Sequence, residues 1–389
     1  MKRILPLIVV AQFCCTTLWF AGNGVMSGLV EEFQLSESAL GYLTSAVQLG
    51  FIVGTLSFAL LALPDRISPS KLFFVSAIGG AVCNALLIPF EHGLISLMML
   101  RFGVGFFLAG IYPVGMKIAA DHFDRGLGRS LGFLVGALVL GTAFPHLLRD
   151  MLGKFPWSYV LSGTSALALV GGFLLFLFVP DGPFRRAARR VRLRETAEIF
   201  HHKDFRTAAF GYFGHMWELY AFWAFVPVLL TAYGAERLPF SVSVGSFLII
   251  AAGTFGCIVG GITSNRAGTA RVARLALTVS GSCCLLVGVF FEFSPILFLF
   301  FLILWGCTVV ADSPLFSTLV ARNAPPTATG TALTIVNCLG FALTIVSIQL
   351  LTWLWSATAS PWVFLVLLPG PIFGVGNLWK NRHSGYSAR

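Results

Sequence analysis

LALPDRISPSK, residues 61–71, sets a proline, an acid–base pair and a lysine between two long apolar runs. Two hundred residues on, GITSNRAGTAR (261–271) puts Arg266 at the offset of Arg66 and Asn265 at that of Asp65, again between apolar runs. A charged phrase written twice at constant spacing marks an internal repeat whose corners lie outside an apolar layer. Hydrophobic residues make up 57% of the 389 and charged residues 11%. A soluble chain carries about twice that charge. Mean hydropathy is +0.86.

Working outward from the two corners, apolar segments long enough to cross a ~30 Å hydrocarbon layer recur throughout. Twelve spans are expected, over 4–30, 40–62, 72–90, 94–118, 128–148, 157–180, 207–232, 239–263, 272–291, 295–320, 330–355 and 361–380. The first follows Met1-Lys2-Arg3, exceeds a signal-peptide core in length and shows no small-residue cleavage site, so a retained helix is expected. With the N-terminus inside, 22 of the 26 Lys and Arg fall on inner segments and three on outer loops, Arg101 lying within span 4. Positive charge is retained on the cytoplasmic side, so both termini are expected there, in a bacterial inner membrane. The net charge of +10 is an insertion signal and gives no support to a nucleic-acid partner. All eight cysteines fall within spans without metal-cluster spacing and read as packing residues.

The longest polar segment, 180–206, holds six arginines between 185 and 194, which on a helix would form a basic face along anionic headgroups. His201, His202 and Asp204 in it are weak evidence for metal. Cutting there leaves an N-terminal six-helix bundle (1–182), a basic cytoplasmic linker (183–206) and a C-terminal six-helix bundle (207–389). The halves echo each other elsewhere. Pro113 in span 4 matches Pro314 in span 10, and each is followed by a helix opened by glycine, GRSLGF (128–133) and GTALTI (330–335).

Twelve spans, a basic central loop and D-R-x-[SG]-x-x-[KR] between spans 2 and 3 resemble the major facilitator superfamily across the whole chain. RFGVGFFLAG (101–110) is similar to that family's fourth-span pattern of an arginine followed by spaced glycines. The family's corner phrase opens with a glycine four residues before the acid. Leu61 stands there in the first copy, and Gly261 in the second. The resemblance implies an all-α membrane protein of two pseudo-symmetric six-helix bundles that rock about a solute site. It also implies a role for Arg101 in substrate contact or proton coupling.

Charges inside a membrane are costly, which makes the few there the functional candidates. Arg101 otherwise reads as an arginine snorkelling to the outer headgroups. In GYFGHMWELYAFW (211–223), His215 and Glu218 are three residues apart on one helical face, with Tyr212 and Phe222 extending the stripe. Histidine titrates near neutrality and a buried carboxyl can take up a proton, so this face suits proton coupling or substrate binding; a structural hydrogen-bond pair fastening span 7 to a neighbour is the alternative. Asp312, beside the bend expected at Pro314, is either a second proton site or an inner gate tied to Arg322 or Arg266. Trp19, Asn23 and Gln48 in the first half and Asn337 in the second are expected to line a solute cavity, or else to glue helices together. His146 reads equally as interfacial or functional. Asp65, Arg66, Asn265 and Arg266 are the expected gating residues.

The chain carries no phosphate loop, no H-E-x-x-H and no nucleophile–base pair, so an enzyme is not expected. GFLVGALVLGTAFP (132–145) matches neither the nitrate-carrier nor the drug-antiporter signature of the superfamily. The reading is a monomeric, proton-coupled secondary transporter that takes up a small organic solute, an anion in preference, without cofactor or bound metal. A cation or metal-chelate carrier, a proton-driven efflux antiporter and a transporter-like sensor remain as alternatives. Asp65 can form an ion pair where Asn265 cannot, so the first corner should carry the stronger latch of the outward-open state. Asp65→Asn should therefore shift the inward/outward balance measured by cysteine accessibility; an unchanged balance refutes the latch.

Overall fold

The computed structural model describes residues 4–36, 38–123, 127–185, 196–325 and 328–380. Among them every regular element is helical. The chain divides into two compact units, Met1–Arg190 and Val191–Arg389. The division falls in the basic segment. Apart from Arg185, the arginines expected on its helix lie outside the described residues.

In the first unit, span 1 runs in three pieces, Ile4–Thr16, Ala21–Gly24 and Met26–Glu32. Span 2 is Ala39–Leu60, span 3 Pro69–Ala85, span 5 Leu127–Leu152 and span 6 Ser158–Phe178, while span 4 is split into Leu94–Leu108 and Tyr112–His122. In the second unit, span 7 is Lys203–Tyr233, span 8 Val242–Ala267, span 9 Thr269–Phe290 and span 11 Thr329–Thr358. Span 10 is split into Pro295–Thr308 and Ser313–Asn323, and span 12 into a 3-10 turn, Pro361–Leu367, and Pro369–Lys380. Ten of these are long and apolar enough to cross a membrane. The other two are the interrupted span 1 and span 3, whose 17 residues reach about 26 Å at 1.5 Å per residue, enough for a thin hydrocarbon core.

The splits in spans 4 and 10 share a cause. Pro113 and Pro314 each sit in the first turn of the second piece, where proline's missing N–H does no harm but the preceding ladder cannot continue. The bend expected at Pro314 is thus a full interruption over Val309–Asp312. Span 1 was expected as one helix. No proline lies near its interruption, which instead coincides with an arginine reaching in from span 4, described below.

Glycines set how close the bundles pack. A Cβ on Gly50 or Gly54 of span 2 would run into the backbone carbonyl of Phe102 or Phe106 of span 4, and one on Gly105 of span 4 into that of Val47. The second unit repeats this: Gly256 and Gly260 of span 8 abut the carbonyls of Cys307 and Ala311, and Gly306 of span 10 abuts Ile249. Backbones in such contact gain dispersion that lipid tails cannot match, which is how helices associate where there is no hydrophobic effect between them.

Polarity is arranged for a lipid solvent. Ile95, Val75, Phe255, Leu275, Phe300 and Trp353 are each more than half exposed, whereas Gln12, Gln48, Arg101, His215, Glu218 and Asp312 are all within 1% of full burial. Gly105→Leu should destabilise the protein by more than the ~1–3 kcal/mol of ordinary overpacking, because the clash is with backbone. Gly261→Ala, which meets open space, should leave the melting temperature in detergent unchanged. Equal melting temperatures for the two variants would refute the crossing as the packing determinant.

Candidate functional site

The interruption of span 1 and the arginine of span 4 build the first cluster. Arg101 donates from Nη1 to the carbonyl of Leu18 at 3.2 Å and from Nη2 to that of Trp19. Both carbonyls belong to the turn at 17–20 that follows Thr16, outside either helical piece, and no backbone N–H among the described residues bonds them there. Arg101 therefore holds the turn that joins the first two pieces of span 1. It is 1% exposed, so it does not snorkel to the headgroups. Gly22 leaves room for it: a Cβ there would stand 3.1 Å from Nε. Nε itself makes no hydrogen bond.

Three other first-half candidates gather at the same break. Asn23 donates to Thr44 Oγ1 at 2.8 Å, and the Trp19 ring lies 4.9 Å from that of Phe51. Gln48 sits one turn from Thr44 and one turn from Phe51, on the same face of span 2. Among the described residues neither amide atom of Gln48 has a hydrogen-bond partner, and the same holds for Gln12, which the sequence did not single out. His146 is 2% exposed and hence buried, not interfacial; its neighbour Pro145 packs against Gly24.

The second cluster lies in the other unit, around span 7. His215 and Glu218 share a face as expected, but they reach different partners. His215 Nδ1 is 2.8 Å from Asp312 Oδ1, both side chains fully buried. The approach is out of line for a straight hydrogen bond, and His215 Nε2 and Asp312 Oδ2 have no protein partner. Asp312 thus pairs with His215, and this replaces the expected tie to Arg322 or Arg266. Glu218 accepts from Ser280 Oγ of span 9 at 2.9 Å and from Trp305 Nε1 of span 10 at 2.6 Å. Trp305 in turn stacks on Phe222, ring centroids 4.2 Å apart. Glu218 therefore fastens three helices while standing one turn from the histidine–aspartate pair. Tyr212 extends the stripe, its ring 5.9 Å from that of His215. Asn337 is half-buried on span 11, one turn before Gly340, whose surface meets Tyr212. Trp217 faces elsewhere and donates to the carbonyl of Val366.

The corners differ as their sequences do. Asp65 pairs with Lys117 at the end of span 4 (3.0 Å), and Lys117 also reaches Asp121 (3.3 Å). Arg185 joins Asp181 to the carbonyls of Asp65 and Ile67. Arg66, Asn265 and Arg266 are exposed. Lys117, Arg185, Ser280 and Trp305 were missed from the sequence because each acts through a partner tens of residues away. Among the described residues no three His, Cys, Asp or Glu are placed to hold a metal ion.

A family model described as Major Facilitator Superfamily matches residues 8–348. The chain belongs to that superfamily. Among solved structures, a point mutant of the nucleoside transporter NupG superposes with a TM-score of 0.71. It is 14% identical, and the match covers 97% of this chain and 98% of that one. No curated protein sequence matches. As a superfamily member the protein is a multi-pass membrane transporter whose twelve helices form the fold of this family. Trp305→Phe should retain the stacking on Phe222 but leave Glu218 short of a donor, costing about 1–3 kcal/mol. It should lower the melting temperature of the protein in detergent; a melting temperature equal to that of the wild type would refute the fastening role.

Proposed function

We propose that this superfamily member is a proton-coupled secondary transporter that takes up a small organic anion by alternating access. The buried contact between His215 and Asp312 carries the reading. A histidine and a carboxylate in contact inside a lipid-embedded bundle can share, accept and release a proton without importing a metal or a permanent counter-charge. The outer atoms of the pair, Nε2 and Oδ2, are not engaged by the protein, so each can exchange a proton with a visiting group. Glu218, one turn away, links any change at this pair to spans 9 and 10 through Ser280 and Trp305.

The preference for an anion rests on Arg101. It is buried and its hydrogen-bonding partners are neutral carbonyls, so its charge still attracts an anion in a low-dielectric surrounding. The corner held by Asp65 and Lys117 serves as the gate of the first half, with both termini on the cytoplasmic side and the protein acting as a monomer. A second reading, an uncharged polar solute, is favoured by one observation: the unpartnered amides of Gln12 and Gln48. The solved relative named for nucleoside transport is consistent with it.

In proteoliposomes, an inward proton gradient should drive accumulation of a monocarboxylate by the wild type. Asp312→Asn should abolish uphill accumulation while retaining exchange of the same solute across the membrane, because binding survives and coupling does not. Wild-type accumulation by Asp312→Asn would remove the pair from the coupling role.

A further inference from the structure

Gln48 is fully buried, with both the donor and the acceptor of its amide unused by the protein. Burying an amide without partners costs several kilocalories in an apolar medium, and glutamine has apolar near-isosteres that would avoid that cost. Asn84, in the same unit, shows the alternative: its amide nitrogen is within hydrogen-bond distance of Leu161 O, Thr164 Oγ1 and Ser165 Oγ. The Asn84 nitrogen ties span 3 to span 6, although its Oδ1 is unpartnered too; Gln48 has neither atom engaged among the described residues.

The surroundings of Gln48 suit a ligand. It lies between Thr44, which holds Asn23, and Phe51, which packs on the Trp19 ring. The Trp19 carbonyl is bonded to Arg101, whose Nε is also unused. Gln48 is thus one helical turn from the Phe51 that packs on Trp19, and Arg101 is bonded to the backbone of that same tryptophan. An amide side chain reads most fully a group that presents its own N–H and C=O side by side. We propose that Gln48 is a specificity-determining residue, and that the solute is a small monoanion bearing a carboxamide, ureide or lactam edge. Its anionic end lies toward Arg101 and its amide edge pairs with Gln48. This rests on the anion reading above and names the solute class.

The test uses two probes of equal charge and similar size, succinamate and monomethyl succinate, with the purified full-length protein. The amide offers the N–H that the ester lacks. Tryptophan fluorescence titration should give a Kd for succinamate lower by about tenfold or more, the worth of one buried hydrogen bond left unmade. Gln48→Met should bring the two Kd values together, and its ligand-free melting temperature should equal or exceed that of the wild type. A structural glutamine would instead lower it. Equal binding of both probes by the wild type overturns the amide reading and leaves the anion transporter standing. Saturable binding of neither overturns both. Discrimination retained by Gln48→Met, or a melting temperature that falls on substitution, overturns the role of Gln48. The wild-type comparison decides the solute class even if that variant does not fold.

Discussion

Backbone-to-backbone contact at glycine is the constraint on which the rest of each bundle depends. Spans 2 and 4, and spans 8 and 10, meet where a Cβ would strike a carbonyl oxygen. In lipid no hydrophobic gain holds helices together, so close approach of small residues supplies the association. That approach also sets where the polar side chains of span 4 and span 10 can reach. Arg101 sits one residue before Phe102, whose carbonyl touches Gly50, and its guanidinium arrives at the break of span 1. Trp305 sits one residue before Gly306, whose Cα abuts Ile249, and its indole arrives at Glu218.

The two units solve the same problem with opposite polarity. In the first, a cation from span 4 satisfies carbonyls of a span 1 that has lost its ladder. In the second, an indole N–H from span 10 satisfies a carboxylate on span 7, which continues unbroken through Lys203–Tyr233. Each arrangement meets the rule that polar groups in a bilayer find partners inside the protein. Among the described residues, the buried groups without a hydrogen-bond partner include the amides of Gln12 and Gln48, Arg101 Nε and the outer atoms of His215 and Asp312, together with Thr55 Oγ1, Asn84 Oδ1, Asp121 Oδ2, His122 Nε2, Thr142 Oγ1 and His146 Nε2. Those that stand at a buried charge, Arg101 in the first unit and the histidine–aspartate pair in the second, are the ones the proposed function uses.

Much of this was legible beforehand. A repeat of apolar segments with charged corners determines twelve helices in two related halves, because chain crossing a bilayer has no other way to satisfy its backbone. Pro113 and Pro314 mark the bends of spans 4 and 10, and His215, Glu218, Asp312 and Arg101 stand out because so few charges remain inside the apolar runs. Partners were not legible. A spacing of three puts His215 and Glu218 on one face, and fastening span 7 to a neighbour is one of the two readings. A single helix does not reveal which neighbours each one meets.

Composition and spacing alone dictate the solvent, the number and order of helices, the repeat and the short roster of buried charges. Packing between helices selected Asp312 as the partner of His215, Ser280 and Trp305 as the holders of Glu218 and Lys117 as the partner of Asp65, and it brought Arg101 to the turn in span 1 instead of the headgroups. Those outcomes depend on which faces the glycine crossings turn toward one another. A contact between residues 62, 87 or 97 positions apart is a property of packing, which no local pattern encodes.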